Sequence, residues 1–207
     1  MKRFVIAVTR TCGSGATTIS KLLAEDYGID LYDRKLLRLA SEDSGINEAL
    51  FGKADERMKS TLLYHVSKKV YNGELIPPES DNFASDNNLF NYQAKILKEL
   101  AEQESYIVIG RGADYILRDK PNMISIFLTA DEETCITHEM ERMCCDRKEA
   151  IKYINKTDKF RSEYYTYHTG RKWRNPDNYD LCLNTSRLGY EKCVAIIKDY
   201  VRYRVEK

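Results

Sequence analysis

The amino-acid sequence predicts an α/β fold in three layers, with helices covering both faces of a parallel sheet. Three observations carry that prediction. Short apolar runs alternate with amphipathic stretches of helical period along the chain. Strand–helix alternation of this kind implies parallel pairing through right-handed crossovers, with both sheet faces covered. The length of 207 residues, 43% of them hydrophobic, is enough for one ordinary α/β core and too little for two.

Phe4-Val5-Ile6-Ala7-Val8 reads as the first buried strand, and Ile19, Leu22 and Leu23 share one face of the helix that follows. Ile29-Asp30-Leu31-Tyr32-Asp33 is a shorter strand candidate. Tyr106–Ile109, Ile124–Leu128 and Leu181–Leu183 supply the remaining apolar runs. Ile96, Leu97, Leu100 and Ala101 mark one face of an intervening helix; Val194, Ile197 and Val201 do the same near the C-terminus. Two stretches interrupt the alternation. Residues 45–90 hold a long helical stretch and then a turn-rich run over 72–82, where Pro77 and Pro78 exclude helix. Residues 131–172 form a charged helical pair, broken near Cys144-Cys145-Asp146, where Asp146 and Glu149 have N-cap and N3 spacing. Both read as insertions at one edge of the sheet within a single domain spanning 1–207.

Composition removes several function classes. Thirty-three basic residues stand against 32 acidic ones, a net charge of +1, without the surplus that a general nucleic-acid binder carries. No run approaches eighteen apolar residues, so no membrane span is expected. The basic start Lys2-Arg3 precedes too short an apolar stretch for a signal peptide, which makes the cytoplasm the expected compartment. Six cysteines (12, 135, 144, 145, 182, 193) contain no Cys-x-x-Cys, and His65, His138 and His168 fall far apart. Reduced thiols, rather than a disulfide scaffold or a zinc site, are the reading these spacings favour. Oligomeric state is left open.

The strongest local signal is Thr9-Arg10-Thr11-Cys12-Gly13-Ser14-Gly15-Ala16-Thr17-Thr18, a strand running into a glycine turn and a helix. Such a turn presents consecutive backbone N–H groups at the positive end of a helix dipole and holds phosphate without side chains. Against the pattern Gly-x-x-x-x-Gly-Lys-Ser/Thr, Gly15 takes the second glycine and Thr17 the Mg²⁺-binding hydroxyl, but Arg10 replaces the first glycine and Ala16 the lysine. Arg10 is the candidate stand-in for that lysine, which neutralises the transferring phosphates. A phosphatase loop built on Cys12 is excluded, because position 18 is Thr where an arginine is needed.

Arg111, in Ile109-Gly110-Arg111-Gly112-Ala113-Asp114-Tyr115, follows a strand and stands where ligands bind in open α/β sheets. It either grips a phosphate bidentately or forms an ion pair with Asp114. Asp33 also ends a strand: it holds Mg²⁺ through water, contacts a base, or caps the helix beginning at Arg34. Cations crowd the second insertion, and Asp158 and Arg161 lie three apart on one helical face. A hinged lid carrying such arginines would exclude water from a triphosphate; a plain solvated face is the alternative. Tyr164, Tyr165 and Tyr167 either stack on a base or pack, and Trp173 reads as packing.

Taken in order, the segments at 9–15, 31–37, 109–117, 156–165 and 178–189 resemble the bacterial cytidylate kinase-like family. The resemblance covers essentially the whole chain, and five modest motifs in the family's order are specific. It implies a P-loop nucleoside-monophosphate kinase fold: a five-stranded parallel sheet, a monophosphate-binding insertion at 45–90 and a helical lid at 131–172. It also implies transfer of a γ-phosphoryl group from ATP, with Mg²⁺, to an acceptor such as CMP or dCMP, small nucleotides being the only partners. By position, Gly13, Ser14, Gly15, Ala16, Thr17 and Thr18 form the phosphate loop. Asp33, Arg111 and Asp114 are the candidate acceptor-binding residues, Thr17 and Asp33 the candidate metal ligands, and Arg10, Arg111, Asp158 and Arg161 the candidate catalytic set. The chain departs from the family at Ala16, and again at Thr17, where members commonly place arginine. Two other functions stay open: a nucleotide-binding regulator on the same fold, and a kinase of a non-nucleotide metabolite.

Overall fold

The computed structural model describes residues 2–33, 35–54, 74–78, 80 and 84–205. Five strands form one parallel sheet in the order β2-β3-β1-β4-β5. They are β1 (Val5–Arg10), β2 (Asp30–Tyr32), β3 (Tyr106–Ile109), β4 (Met123–Thr129) and β5 (Leu181–Asn184). Helix α1 (Ala16–Tyr27) links β1 to β2; α2 (Lys35–Ser44), α3 (Glu48–Ala54) and α4 (Asp86–Gln103) lie between β2 and β3. The short α5 (Ala113–Ile116) follows β3, and α6 (Glu132–Met143) and α7 (Arg147–Thr169) separate β4 from β5. The short α8 (Thr185–Leu188) and the longer α9 (Tyr190–Val205) complete the described chain.

Side-chain alternation explains the layering. Along β1, Val5 and Ala7 face one apolar cluster with α2, α4 and α5, while Ile6 and Val8 face the other with α1 and α9. β3 repeats the pattern, with Tyr106 and Val108 on one side and Ile107 and Ile109 on the other. Strands buried on both faces need apolar residues at every position, which is why these runs are continuous rather than alternating. Each fully buried isoleucine here contributes roughly 1.5–3 kcal/mol.

The structure adjusts two expectations. Leu22 is 37% exposed, so α1 packs through Ile19 and Leu23 instead. The first insertion ends earlier than residue 90, because Ser85 caps α4 by accepting the Asn88 amide and the helix begins at Asp86. Most of the long helical stretch expected there (55–73) lies outside the described residues. The charged pair breaks where the sequence places it: the Asp146 side chain accepts the Glu149 amide at 2.9 Å and starts α7. All six cysteines are free.

Strand order reverses beside β1, so the crevice for a ligand falls at the C-terminal ends of β1, β3 and their neighbours. That edge carries the turn after β1, Asp33 after β2, the Gly110–Gly112 turn after β3, and the α6–α7 hairpin after β4.

Candidate active site

The turn after β1 is built by bonds that leave its amides free. The Thr11 amide donates to Leu128 O, the Ser14 hydroxyl to Thr11 O at 2.8 Å, and the Thr185 hydroxyl to Ser14 O at 2.8 Å. The His138 Nδ1–H donates to Gly13 O at 2.8 Å, the carbonyl being able only to accept. Gly13 and Gly15 hold φ of 76° and 73°, the left-handed region that favours glycine. Crowding demands glycine as well: a Cβ on Gly13 would meet the Cys135 backbone at 2.6 Å, and one on Gly15 would enter the Tyr190 ring. Gly15 caps α1 without a side chain. Among the described residues, the amides of Gly13, Gly15, Ala16 and Thr17 find no protein acceptor. Four unpartnered N–H groups at the start of a three-turn helix form an anion cradle. Thr17 and Thr18 are exposed at its mouth, whereas Ala16 is buried in the apolar cluster behind it.

A second positive centre lies on the β3 side. The Arg10 guanidinium packs through Nη1 against Gly110, in the place a Cβ would take. Burial, and then the charge of Arg161, push Arg10 down to about 9; Asp33 acts the other way and Arg111 adds to the lowering. Three guanidiniums thus gather with Asp33 as the facing carboxylate. Arg111 itself adopts φ 62° between Gly110 and Gly112, both also left-handed. A non-glycine residue there costs roughly 1–3 kcal/mol, and such strain concentrates at ligand-binding turns.

Where α4 packs against α7, several polar groups are buried. The Tyr165 hydroxyl donates to Asp114 Oδ2 at 2.6 Å, while Asp114 Oδ1, the Tyr164 hydroxyl and Gln93 Oε1 are buried without a partner. Burial raises Asp114 to about 6 against the opposing pull of the Tyr165 bond and the Arg171 charge. Arg111 is among the charges that the Tyr164 hydroxyl senses. His168 stacks on Phe90 with ring centroids 4.1 Å apart, and burial pushes it down to about 3, so it stays neutral.

The α6–α7 hairpin reaches the loop through Asp158. Its Oδ1 accepts the Cys12 amide at 2.8 Å and faces Arg161 Nη1 at 3.5 Å; its Oδ2 accepts Arg174 Nη2 at 3.1 Å. Arg161 Nη1 also donates to Arg10 O at 3.4 Å. Desolvation nevertheless raises the Asp158 carboxyl, these donors opposing it. A cleft of about 530 Å³ opens between the hairpin and the sheet, with Thr11, Cys12, Asp158, Lys159, Trp173 and Arg174 among its walls.

The structure therefore brings Arg10, Asp33, Arg111 and Arg161 together, and sets Asp158 against the loop. It does not bring Asp114 to the surface of the crevice: at 4% exposure and bonded to Tyr165, it ties α7 to the β3 turn. Tyr164, Tyr165 and Trp173 are buried and pack. Thr17 lies in the first turn of α1 and Asp33 follows β2, which is two places from β1 in the sheet order. Mg²⁺ takes few protein ligands beside phosphate oxygens and water, and a hydroxyl such as that of Thr17 is one of them; the Asp33 carboxylate also acts on the Arg10 charge. Sequence reading missed Gln93, though a glutamine on the apolar face of Phe90 and Leu97 was a usable signal. His138 and Tyr190 gave none, since only folding carries them to the loop.

Comparison with known proteins gives one family. The model of the cytidylate kinase-like family matches residues 5–187. A cytidylate kinase of Fervidobacterium nodosum is 25% identical, over 96% of this chain and 96% of that protein. A cytidylate kinase of Methanopyrus kandleri is 26% identical, over 94% and 91%. Among solved structures, an uncharacterized protein from Eubacterium ventriosum superimposes with a TM-score of 0.72 at 28% identity, covering 98% of this chain and all of that one. A shikimate kinase from Bacteroides thetaiotaomicron, at TM-score 0.53 and 16% identity over 96% of this chain and 98% of that one, shares the fold.

Proposed function

This chain belongs to the cytidylate kinase-like family, matched from residue 5 to 187, and we propose that it transfers the γ-phosphoryl group of ATP to CMP or dCMP. As a nucleoside-monophosphate kinase-like enzyme, it needs a donor cradle and an acceptor clamp facing each other. The observation that carries the proposal is the row of unpartnered amides at Gly13, Gly15, Ala16 and Thr17, beside a cluster of three arginines. Amides without a protein acceptor and arginines held close to one another both gain from an anion placed between them.

In this reading the loop amides hold the β-phosphate, and the Thr17 hydroxyl takes the Mg²⁺ that travels with ATP and offsets charge on the transferring group. Arg10 and Arg111 grip the acceptor phosphate. Arg161, on the lid, closes over the same space and excludes water. Asp33 orients Arg10 across the end of the sheet. The buried Gln93 amide and Tyr164 hydroxyl form the wall nearest the acceptor, and Asp114 positions α7 through Tyr165. No covalent protein intermediate is required, because phosphoryl transfer rests on alignment and charge neutralisation.

A coupled assay of ADP formation across nucleoside monophosphates tests the proposal. Mg²⁺-dependent turnover highest with CMP or dCMP is expected; no turnover with any nucleoside monophosphate overturns it. ATP binding without transfer would instead mark a regulator. That outcome has a specific physical motive, since Ala16 leaves the loop without its lysine.

A further inference from the structure

We propose that Arg174, a side chain outside the phosphate loop, supplies the cation that the loop lacks, and that Asp158 holds it in reserve until a triphosphate arrives. The inference rests on the transfer reading above. Ala16, where the lysine pattern requires a cation, is 2% exposed and packed into the apolar cluster of α1 and α9. Thr17 next to it is neutral. The compensating charge must come from elsewhere in the fold.

Arg174 meets the requirements of position and mobility. It lines the cleft whose walls include Thr11 and Cys12, which directly precede the loop. Its neighbour Trp173 is buried against Phe127, which fixes the backbone beneath it. The Arg174 side chain, by contrast, is 64% exposed and bonded at 3.1 Å to Asp158 Oδ2. Its guanidinium end is open to solvent although Asp158 is buried, so a stronger anion in the cleft can compete for it. A triphosphate entering the cleft offers that guanidinium a partner of higher charge and bidentate geometry.

Release leaves no charge stranded. Asp158 keeps the Cys12 amide and Arg161 on Oδ1 when Arg174 departs. The carboxylate thus serves as a parking site within reach of the loop, and the lid is already registered on the Cys12 amide before any ligand binds. Arg174 then contacts the terminal phosphates and stabilises the charge that develops on the transferring group.

The test uses the full chain with Arg174→Ala, Arg174→Lys and, as a neighbouring control, Lys172→Ala. Arg174→Ala is expected to lower kcat by roughly 30- to 300-fold, in the range for loss of one charge-stabilising donor, with the ATP KM changed far less. Arg174→Lys keeps part of the rate, Lys172→Ala keeps all of it, and millimolar guanidinium restores part of the Arg174→Ala rate. Arg174→Ala lowers the thermal midpoint slightly, because buried Asp158 loses one of its three partners, and the chain stays folded in the assay. Wild-type kcat in Arg174→Ala, or a loss that guanidinium does not rescue, overturns the proposal. Should the wild type bind ATP yet transfer nothing, the transfer reading fails separately, and calorimetry with a non-hydrolysable ATP analogue decides: at least tenfold weaker binding by Arg174→Ala supports the role, and equal binding refutes it. A wild type that binds no nucleotide removes both.

Discussion

Arg111 sets function against stability within one residue. Its φ of 62° is a conformation glycine adopts freely and arginine does not. Arg111→Gly is therefore expected to stabilise the fold by about 1 kcal/mol while lowering kcat/KM by roughly 10²- to 10³-fold, read by thermal unfolding and steady-state kinetics. A variant that loses both would show the strain to be structural. Asp114 gives a second prediction, through pH. Its carboxyl is raised by burial to about 6, whereas the unfolded chain releases that proton near 4. Between those values the native state holds a proton that the unfolded state gives up, so stability falls as pH rises through the window, by on the order of 3 kcal/mol in all. Asp114→Asn should make urea-unfolding stability rise more steeply with pH between 4 and 6 than it does in the wild type; an unchanged slope assigns it to other groups. His168 acts in the opposite sense. Held near 3 by burial, it costs stability increasingly as pH falls below 6.5.

At the scale of elements, the phosphate loop is shaped by what presses on it. Gly15 lies under the Tyr190 ring at the start of α9, and Gly13 lies against the α6 backbone at Cys135. Gly15→Ala is expected to cost more than 2 kcal/mol, and Tyr190→Ala in the same chain to recover all but the roughly 1 kcal/mol owed to the left-handed backbone. Simple additivity of the two substitutions would remove the contact from the account. This dependence also marks how far the sequence could be read. Strands announced themselves because doubly buried β1 and β3 must be apolar throughout, and α7 because Asp146 is an N-cap with a satisfied amide three residues on. The left-handed glycine turn between β1 and α1 was legible from its local order. The gathering of Arg10, Asp33, Arg111 and Arg161 was not, since residues 33 and 161 meet Arg10 only through the crossover topology. Leu22 misled for a related reason: periodicity gives a face but not its width, and α1 needs only the stripe of Ile19 and Leu23.

At the scale of the molecule, charge is unevenly distributed around the sheet. Net charge is +1, yet residues 147–161 hold six cations and two carboxylates, placing positive potential along α7. Nucleotide affinity should accordingly weaken as ionic strength rises, and ligands should raise the unfolding midpoint, since binding to the native state alone is worth about 2.7 kcal/mol at a hundredfold excess over Kd. Differential scanning fluorimetry with ATP and with CMP at two salt concentrations checks both; a midpoint indifferent to either nucleotide contradicts them. The most direct measurement follows backbone amide resonances of the full chain during titration with ATP and Mg²⁺. Hydrogen bonds to phosphate should shift the signals of Gly13, Gly15, Ala16 and Thr17 downfield, saturably and more than any others. If those four stay in place while ATP is saturating, the cradle does not hold the donor, and the kinase mechanism proposed for this chain is wrong.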